Sequence, residues 1–194
     1  MTWTIPNILT LLRIVLIPVL VVVFYTPGQW NYQISAAIFG LAALTDLLDG
    51  YLARRLNQSS AFGAFLDPVA DKLMVAVALV LLVQDNPSPL FAIPAAIIIG
   101  REIAISALRE WMSEIGARTR VAVSIVGKLK TTIQMIAILL LLFKLPYAGF
   151  PTHTVGVLLL YVAAVLTLWS MIVYMKAAWP LLSGKEGDSP RDGA

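Results

Sequence analysis

Cysteine is absent from the 194 residues, which excludes disulfides, thiol nucleophiles and thiolate metal sites. Histidine occurs once, at position 153 beside Pro151. It reads as part of an external turn, and no catalytic role is assigned to it. Charge is scarce as well. Asp, Glu, Lys and Arg make up 13% of the chain, against about 25% in an ordinary soluble domain. Polar helix faces are scarcer still. The stretches Lys72–Val83, Phe91–Gly100 and Ile133–Phe143 carry almost no polar side chains. A soluble helical bundle needs a polar outer face, so that class is excluded. The net charge of +3 is too small to suggest a nucleic-acid partner.

What remains is apolar: 59% of residues are hydrophobic, gathered into blocks. A helix of roughly 20 apolar residues crosses a bilayer core. Six such blocks stand out, near Leu9–Tyr25, Tyr32–Leu52, Phe65–Val83, Leu90–Leu108, Ser124–Leu145 and Thr154–Met175. Turn residues separate several of them, as in Thr26-Pro27-Gly28, Gln84-Asp85-Asn86-Pro87 and Pro146-Tyr147-Ala148-Gly149. The expected fold is all-α: a polytopic membrane protein with six transmembrane helices. Pro6-Asn7 is expected to open a short interfacial helix before the first span, and Pro18 to kink that span. With Arg13 near its start and no clear cleavage site before Pro27, the first block is expected to be a retained span and not a signal peptide.

The basic residues alternate between the two sets of connections. Arg54, Arg55, Arg109, Arg118, Arg120, Lys128, Lys130, Lys176, Lys185 and Arg191 fall on one side, and only Lys144 on the other. Because Lys and Arg stay inside, both termini are expected in the cytoplasm of a bacterial-type membrane. Trp30 and Trp179 fall near span ends, as interfacial rings do. Residues 1–182 read as a single transmembrane catalytic domain, and 183–194 as a disordered cytoplasmic tail. Gly40, Ala42 and Ala43 permit close helix packing and are compatible with a homodimer.

Ionisable groups inside spans are costly and usually mark function. Asp46 and Asp49 lie three apart on the second span, and Asp67 and Asp71 four apart at the start of the third. Each pair shares a helix face. The short charged loop between them makes the two helices antiparallel, which predicts that the pairs face each other. Four carboxylates so placed need cations, and an all-oxygen set suits Mg²⁺, Mn²⁺ or Ca²⁺. Glycines at 50 and 63, with Ala53, leave room for a ligand such as a nucleotide diphosphate. Helix capping or pairing with Arg54, Arg55 and Lys72 accounts for one or two of the aspartates, but not for four on two faces.

Written out, the segment is Asp46-Leu47-Leu48-Asp49-Gly50-Tyr51-Leu52-Ala53-Arg54, eight further residues, then Gly63-Ala64-Phe65-Leu66-Asp67-Pro68-Val69-Ala70-Asp71. This closely resembles the consensus of the CDP-alcohol phosphatidyltransferase family, and the likeness runs from Pro6 through the sixth span. The resemblance implies that fold, and an enzyme that displaces CMP from a CDP-linked lipid or alcohol. It implies that Asp46, Asp49 and Asp67 ligate Mg²⁺ or Mn²⁺, with two ions expected. It implies that Asp71 is the general base and a candidate further ligand. Asp46, Gly50, Ala53, Arg54 and Gly63 match positions that accommodate the CDP moiety.

The acceptor must be read elsewhere, because family members share the aspartate motif. Arg101, Arg109, Arg118, Arg120, Lys128 and Lys130 are candidate contacts for an acceptor phosphate. Positive-inside topology also accounts for the loop arginines 118 and 120, and Arg101 has Glu102 or a motif aspartate as an alternative partner. Further likeness lies in Pro6-Asn7 with Thr10 and Arg13, in Arg101-Glu102 with the segment from Ala107 to Trp111, and in Val121 to Gln134. These resemble the family members that use sn-glycerol 3-phosphate as acceptor and CDP-diacylglycerol as donor. Phosphatidylglycerol, inositol phosphate and serine are the rival acceptors. A transporter is the rival class, and it is disfavoured by the absence of a recognisable repeat and by aspartates clustered at one membrane face.

Overall fold

The computed structural model describes residues 4–56, 61–115, 125–144 and 151–182. These form six helices and no strand: α1 (Ile5–Tyr25), α2 (Asn31–Leu56), α3 (Ala61–Asp85), α4 (Pro89–Glu114), α5 (Ile125–Phe143) and α6 (Thr152–Leu182). Each expected span falls on a separate helix, with the ends of the fifth, Ser124 and Leu145, outside the described residues; the other five helices run past the expected end by a turn or more at one end. Three are long and apolar enough to cross a membrane by length and composition, over Asn7–Tyr25, Pro89–Glu114 and Thr152–Trp179. Among the described residues, the helices carrying the aspartates, α2 and α3, fall outside that group.

The helix ends follow their residues. Proline stands in the first turn of α1 and of α4, where a helical N–H has no partner to lose. The expected interfacial helix is therefore not a separate element. Pro6 starts α1 itself, and the helix runs unbroken through Pro18 to Tyr25. The Thr26 N–H closes α1 on the carbonyls of Val22 and Val23, 3.0 and 3.2 Å away, before Pro27-Gly28. His153, expected in a turn, instead lies in the first turn of α6, its ring 5.9 Å from that of Phe91.

The bundle is apolar inside and outside. Leu20, Phe39, Met74, Leu79, Ile98, Ile138, Leu142 and Leu160 are almost fully buried. Val22, Leu47, Phe65, Ile103, Leu158 and Val165 point outward with more than half their surface exposed. That outer face suits lipid, not water. Trp30 and Trp179 are exposed. The α2–α5 seam is an open apolar groove of about 530 Å³, and the outer face of α6 carries one of about 370 Å³. Both are lined almost wholly by apolar side chains.

α1 packs on both α2 and α3, whereas α2 and α3 touch each other only slightly. The three helices therefore form one corner of the bundle, with α1 against both aspartate-bearing helices. On the other side, α6 packs against α4 and α5. Gly40 and Ala42 are used within the chain. Ala42 is buried, and a Cβ on Gly40 would sit 3.5 Å from the Leu139 side chain.

The end of the bundle farthest from the aspartates is tied by polar contacts. The Tyr25 hydroxyl donates to Gln84, the Tyr32 hydroxyl to Asp85 at 3.0 Å, and Lys144 Nζ to Asp85 at 2.7 Å. The Lys144 ammonium also lies 4.0 Å from the Tyr32 ring centroid. These contacts join α1, α2, α3 and the residue after α5. Lys144 stands at φ 60°, the left-handed conformation that ends many helices.

At the α5–α6 seam, a Cβ on Gly156 would lie 2.8 and 2.9 Å from Leu141 side-chain carbons, and Leu141 is buried. Nothing lies within 4 Å of the same position on Gly100. We predict that Gly156→Ala destabilises the protein by about 1–3 kcal/mol through overpacking. Gly100→Ala should be neutral or stabilising by up to about 1 kcal/mol, since alanine is the better helix former. Thermal melts in one detergent compare the two, and equal melting temperatures would refute the prediction.

Candidate active site

The polar residues of α1 decide how the aspartates are arranged. Asn7, Thr10 and Arg13 follow one another at intervals of three, so they share one face of the helix. All three are buried, Thr10 and Arg13 almost completely. That face meets the carboxylates. The Thr10 hydroxyl donates to Asp67, and Arg13 Nη1 donates to Asp71. The same nitrogen lies 3.5 Å from Asp46 Oδ1. One guanidinium thus joins a carboxylate of α2 to one of α3. Neither Thr10 nor Arg13 was among the candidate site residues read from the sequence. The signal was there: an arginine eight residues into a spanning helix, in register with a threonine and an asparagine.

Asp46, Asp67 and Asp71 are brought to this one place, and Gly63 is buried one turn before Asp67. Asp49, Gly50, Ala53 and Arg54 continue α2 beyond Asp46, but their side chains lie outside the described set. Among the described residues, no three acidic or histidine side chains are close enough to share one ion. The donor chemistry nevertheless fits a hard divalent cation. The groups are carboxylates only, and two of them already converge on a positive charge. The residues available to such an ion are Asp46, Asp67 and Asp71, with Asp49 next on the same helix.

A second polar cluster, of opposite sign, is built by α4, α5 and α6. Glu102 accepts from Lys130 Nζ at 2.6 Å and from Arg101 Nη1 at 3.2 Å. Arg101 Nη2 donates to the Ser170 hydroxyl at 3.1 Å, and Arg109 Nη2 donates to the Tyr174 hydroxyl at 2.6 Å. Arg101, Lys130, Ser170 and Tyr174 are buried, whereas Arg109 is exposed. Of the six basic candidates, three are therefore gathered here. Lys128 stands on α5 with its side chain outside the described set, and Arg118 and Arg120 lie outside the described residues. The alternative pairing of Arg101 with Glu102 is realised, although Glu102 is shared with Lys130. Ser170 and Tyr174 were not anticipated. A serine and a tyrosine four apart in a long apolar span were the available signal.

The two clusters lie at the same end of the bundle. The helices alternate in direction, so the first halves of α1, α3 and α5 meet the later parts of α2, α4 and α6. Lys72, next to Asp71, also lies within electrostatic range of Glu102.

A sequence model of the family described as CDP-alcohol phosphatidyltransferase matches residues 3–169. The chain belongs to this family. Among curated relatives, the CDP-diacylglycerol–glycerol-3-phosphate 3-phosphatidyltransferase of Salmonella choleraesuis strain SC-B67 is 56% identical over 178 residues. The match covers 92% of this chain and 96% of that one. The protein of the same name from Pseudomonas fluorescens is 55% identical over 184 residues, covering 92% and 91%. That from Shigella flexneri is 54% identical over 178 residues, covering 92% and 96%. The family match spans α1 to the middle of α6, so it takes in both the aspartate segment and the face of α1 that meets it.

For this CDP-alcohol phosphatidyltransferase family member, the Arg13 contacts give a direct stability test. Removing a buried guanidinium leaves two carboxylates to repel each other. The Asp46 and Asp71 side chains are 43% and 41% exposed, so water screens part of that cost. Arg13→Ala should lower stability by about 2 kcal/mol in metal-free buffer. Arg13→Lys should recover only part of it, because a single ammonium lacks the guanidinium fork. Chemical or thermal unfolding in detergent measures both, and an unchanged Arg13→Ala midpoint would contradict the contacts.

Proposed function

We propose that this protein transfers the phosphatidyl group of CDP-diacylglycerol to sn-glycerol 3-phosphate, giving phosphatidylglycerophosphate and CMP. It is a phospholipid-synthesising transferase, as its relatives are named. The observation that carries the acceptor assignment is the placement of Arg101, Arg109 and Lys130 at the same end of the bundle as the aspartates. A diphosphate donor and a phosphate-bearing acceptor need two such regions side by side. Serine is zwitterionic and needs far less positive charge.

In this reading Asp46, Asp49, Asp67 and Asp71 hold the divalent metal, as two Mg²⁺ or Mn²⁺ ions. When bound, the metal neutralises the diphosphate and favours departure of CMP. Gly50, Ala53, Arg54 and Gly63 accommodate the CDP moiety along α2 and α3. Asp71 takes the proton from the acceptor hydroxyl, whose oxygen then forms the new bond to the lipid-bearing phosphorus. The bond from that phosphorus to CMP breaks, and CMP leaves with the electron pair. The attacking and leaving oxygens stand on opposite sides of the phosphorus. Arg13 donates to Asp71 and Thr10 to Asp67, so α1 sets the orientation of both carboxylates.

All six helices span the bilayer in this proposal, with both termini and the site on the cytoplasmic side. That side supplies the soluble acceptor and receives CMP. The lipid tails leave sideways between helices into the apolar surroundings. A second copy of the chain is the remaining proposed partner. Its contacts would use the exposed apolar faces, since Ala42 is buried within the chain.

An acceptor panel tests the proposal. Purified protein with CDP-diacylglycerol and Mg²⁺ or Mn²⁺ should release CMP with glycerol 3-phosphate, and the lipid product should be phosphatidylglycerophosphate. CMP release with phosphatidylglycerol, inositol phosphate or serine instead would replace the acceptor assignment. Asp71→Asn should retain donor binding and lose at least about 100-fold in turnover, in the range expected for loss of a general base. Turnover near that of the unaltered protein would remove Asp71 from the base role.

A further inference from the structure

Arg101 and Arg109 are eight residues apart on α4, about two turns along the axis and well separated around it. Their helix alone does not bring the two guanidinium groups together. Tyr174 does. Its ring centroid lies 5.6 Å from Cζ of Arg101 and 5.1 Å from Cζ of Arg109, both within cation–π reach. Its hydroxyl accepts from Arg109 Nη2 at 2.6 Å. One turn earlier on the same face of α6, the Ser170 hydroxyl accepts from Arg101 Nη2. Tyr174 is 6% exposed and Ser170 4%, so neither side chain is free to turn away.

Among the described residues, Arg101 and Lys130 share the one carboxylate of Glu102, while Arg109 is held by the Tyr174 hydroxyl. Arg101 Nε is buried with no hydrogen-bond partner among the described residues. Surplus positive charge in an apolar bundle is costly unless an anion answers it. Arg109 is exposed, so an anion arriving from water meets it first. Only one of its five N–H donors is engaged by the Tyr174 hydroxyl, and a planar fork suits a phosphate.

We propose that Tyr174 is a positioning residue for acceptor specificity. It holds Arg109 at the mouth of the basic cluster and Arg101 behind it, so that together they receive the phosphate monoester of the acceptor. This rests on the proposed acceptor chemistry and adds the residue that organises it. Lys130 and Glu102 complete the cluster from α5 and α4, while α6 supplies the clamp. Tyr174 itself does not touch the reacting atoms.

The test is steady-state kinetics of Tyr174→Phe and Tyr174→Leu in the full chain, with inorganic phosphate as a competing anion. Loss of the hydroxyl should raise KM for glycerol 3-phosphate about fivefold to tenfold, the scale of one ordinary net hydrogen bond. Leucine, which also removes the ring, should raise it further. In both variants kcat and KM for CDP-diacylglycerol should stay within about twofold, and the inhibition constant for phosphate should rise in step with the acceptor KM. An unchanged acceptor KM in Tyr174→Phe would overturn the proposal. So would a parallel rise in donor and acceptor KM together with a lower melting temperature, the pattern of a merely structural role. Failure of the acceptor assignment is visible separately, because the unaltered protein would then give no CMP with glycerol 3-phosphate.

Discussion

A carboxylate in an apolar bundle must meet a positive charge, and the whole site end of this protein is arranged around that requirement. Arg13 meets it for Asp46 and Asp71 at once. The consequence reaches into the packing: α1 has to pack on both α2 and α3 to deliver the guanidinium. Thr10, one turn away, serves Asp67 from the same face. The helix that looks least chemical, nearly all Val, Leu and Ile, therefore carries the side chains that hold the acidic cluster in register.

The same requirement with the signs reversed shapes the other half of the site. Here the surplus is positive, and a single glutamate and two hydroxyl-bearing residues hold three cations in place. Acidic and basic clusters side by side sort two kinds of ligand. Cations are drawn to one cluster and anions to the other, and a reaction between a diphosphate and a phosphate ester needs both. Each cluster is assembled across helices distant in sequence. Apart from the Arg101–Glu102 pair within α4, the pairings therefore form only as the bundle does.

Much of this was legible in the sequence. Apolar blocks mark the six helices, three of which are, among the described residues, long and apolar enough to cross a membrane. The aspartate register followed from spacing alone, since i,i+3 and i,i+4 residues share a helix face. The sequence also singled out Arg101, Arg109 and Lys130. Less legible was anything that depends on which helix touches which. Loop length suggested α2 against α3, and the packing of α1 on both left no local trace. Arg13 could be read as an ordinary charge near a span end until its partners were known. Tyr174 and Ser170 carry no formal charge, and a tyrosine in a span is common. Pro6 was misread for a related reason. A proline can end one element or begin another, and only the continuous α1 ladder shows that it begins.

The contacts at the remote end have a mechanical consequence. Tyr25, Tyr32, Gln84, Asp85 and Lys144 fasten the helices to one another there. Beneath them lies the apolar packing of Phe24, Leu82 and Leu142. At the other end, many of the ties between helices are ionic, and those are the ties that arriving ions and substrates would exchange for their own. The remote end is thus fastened by contacts that no ligand would have to displace, so the helices keep their register there whatever the site exchanges.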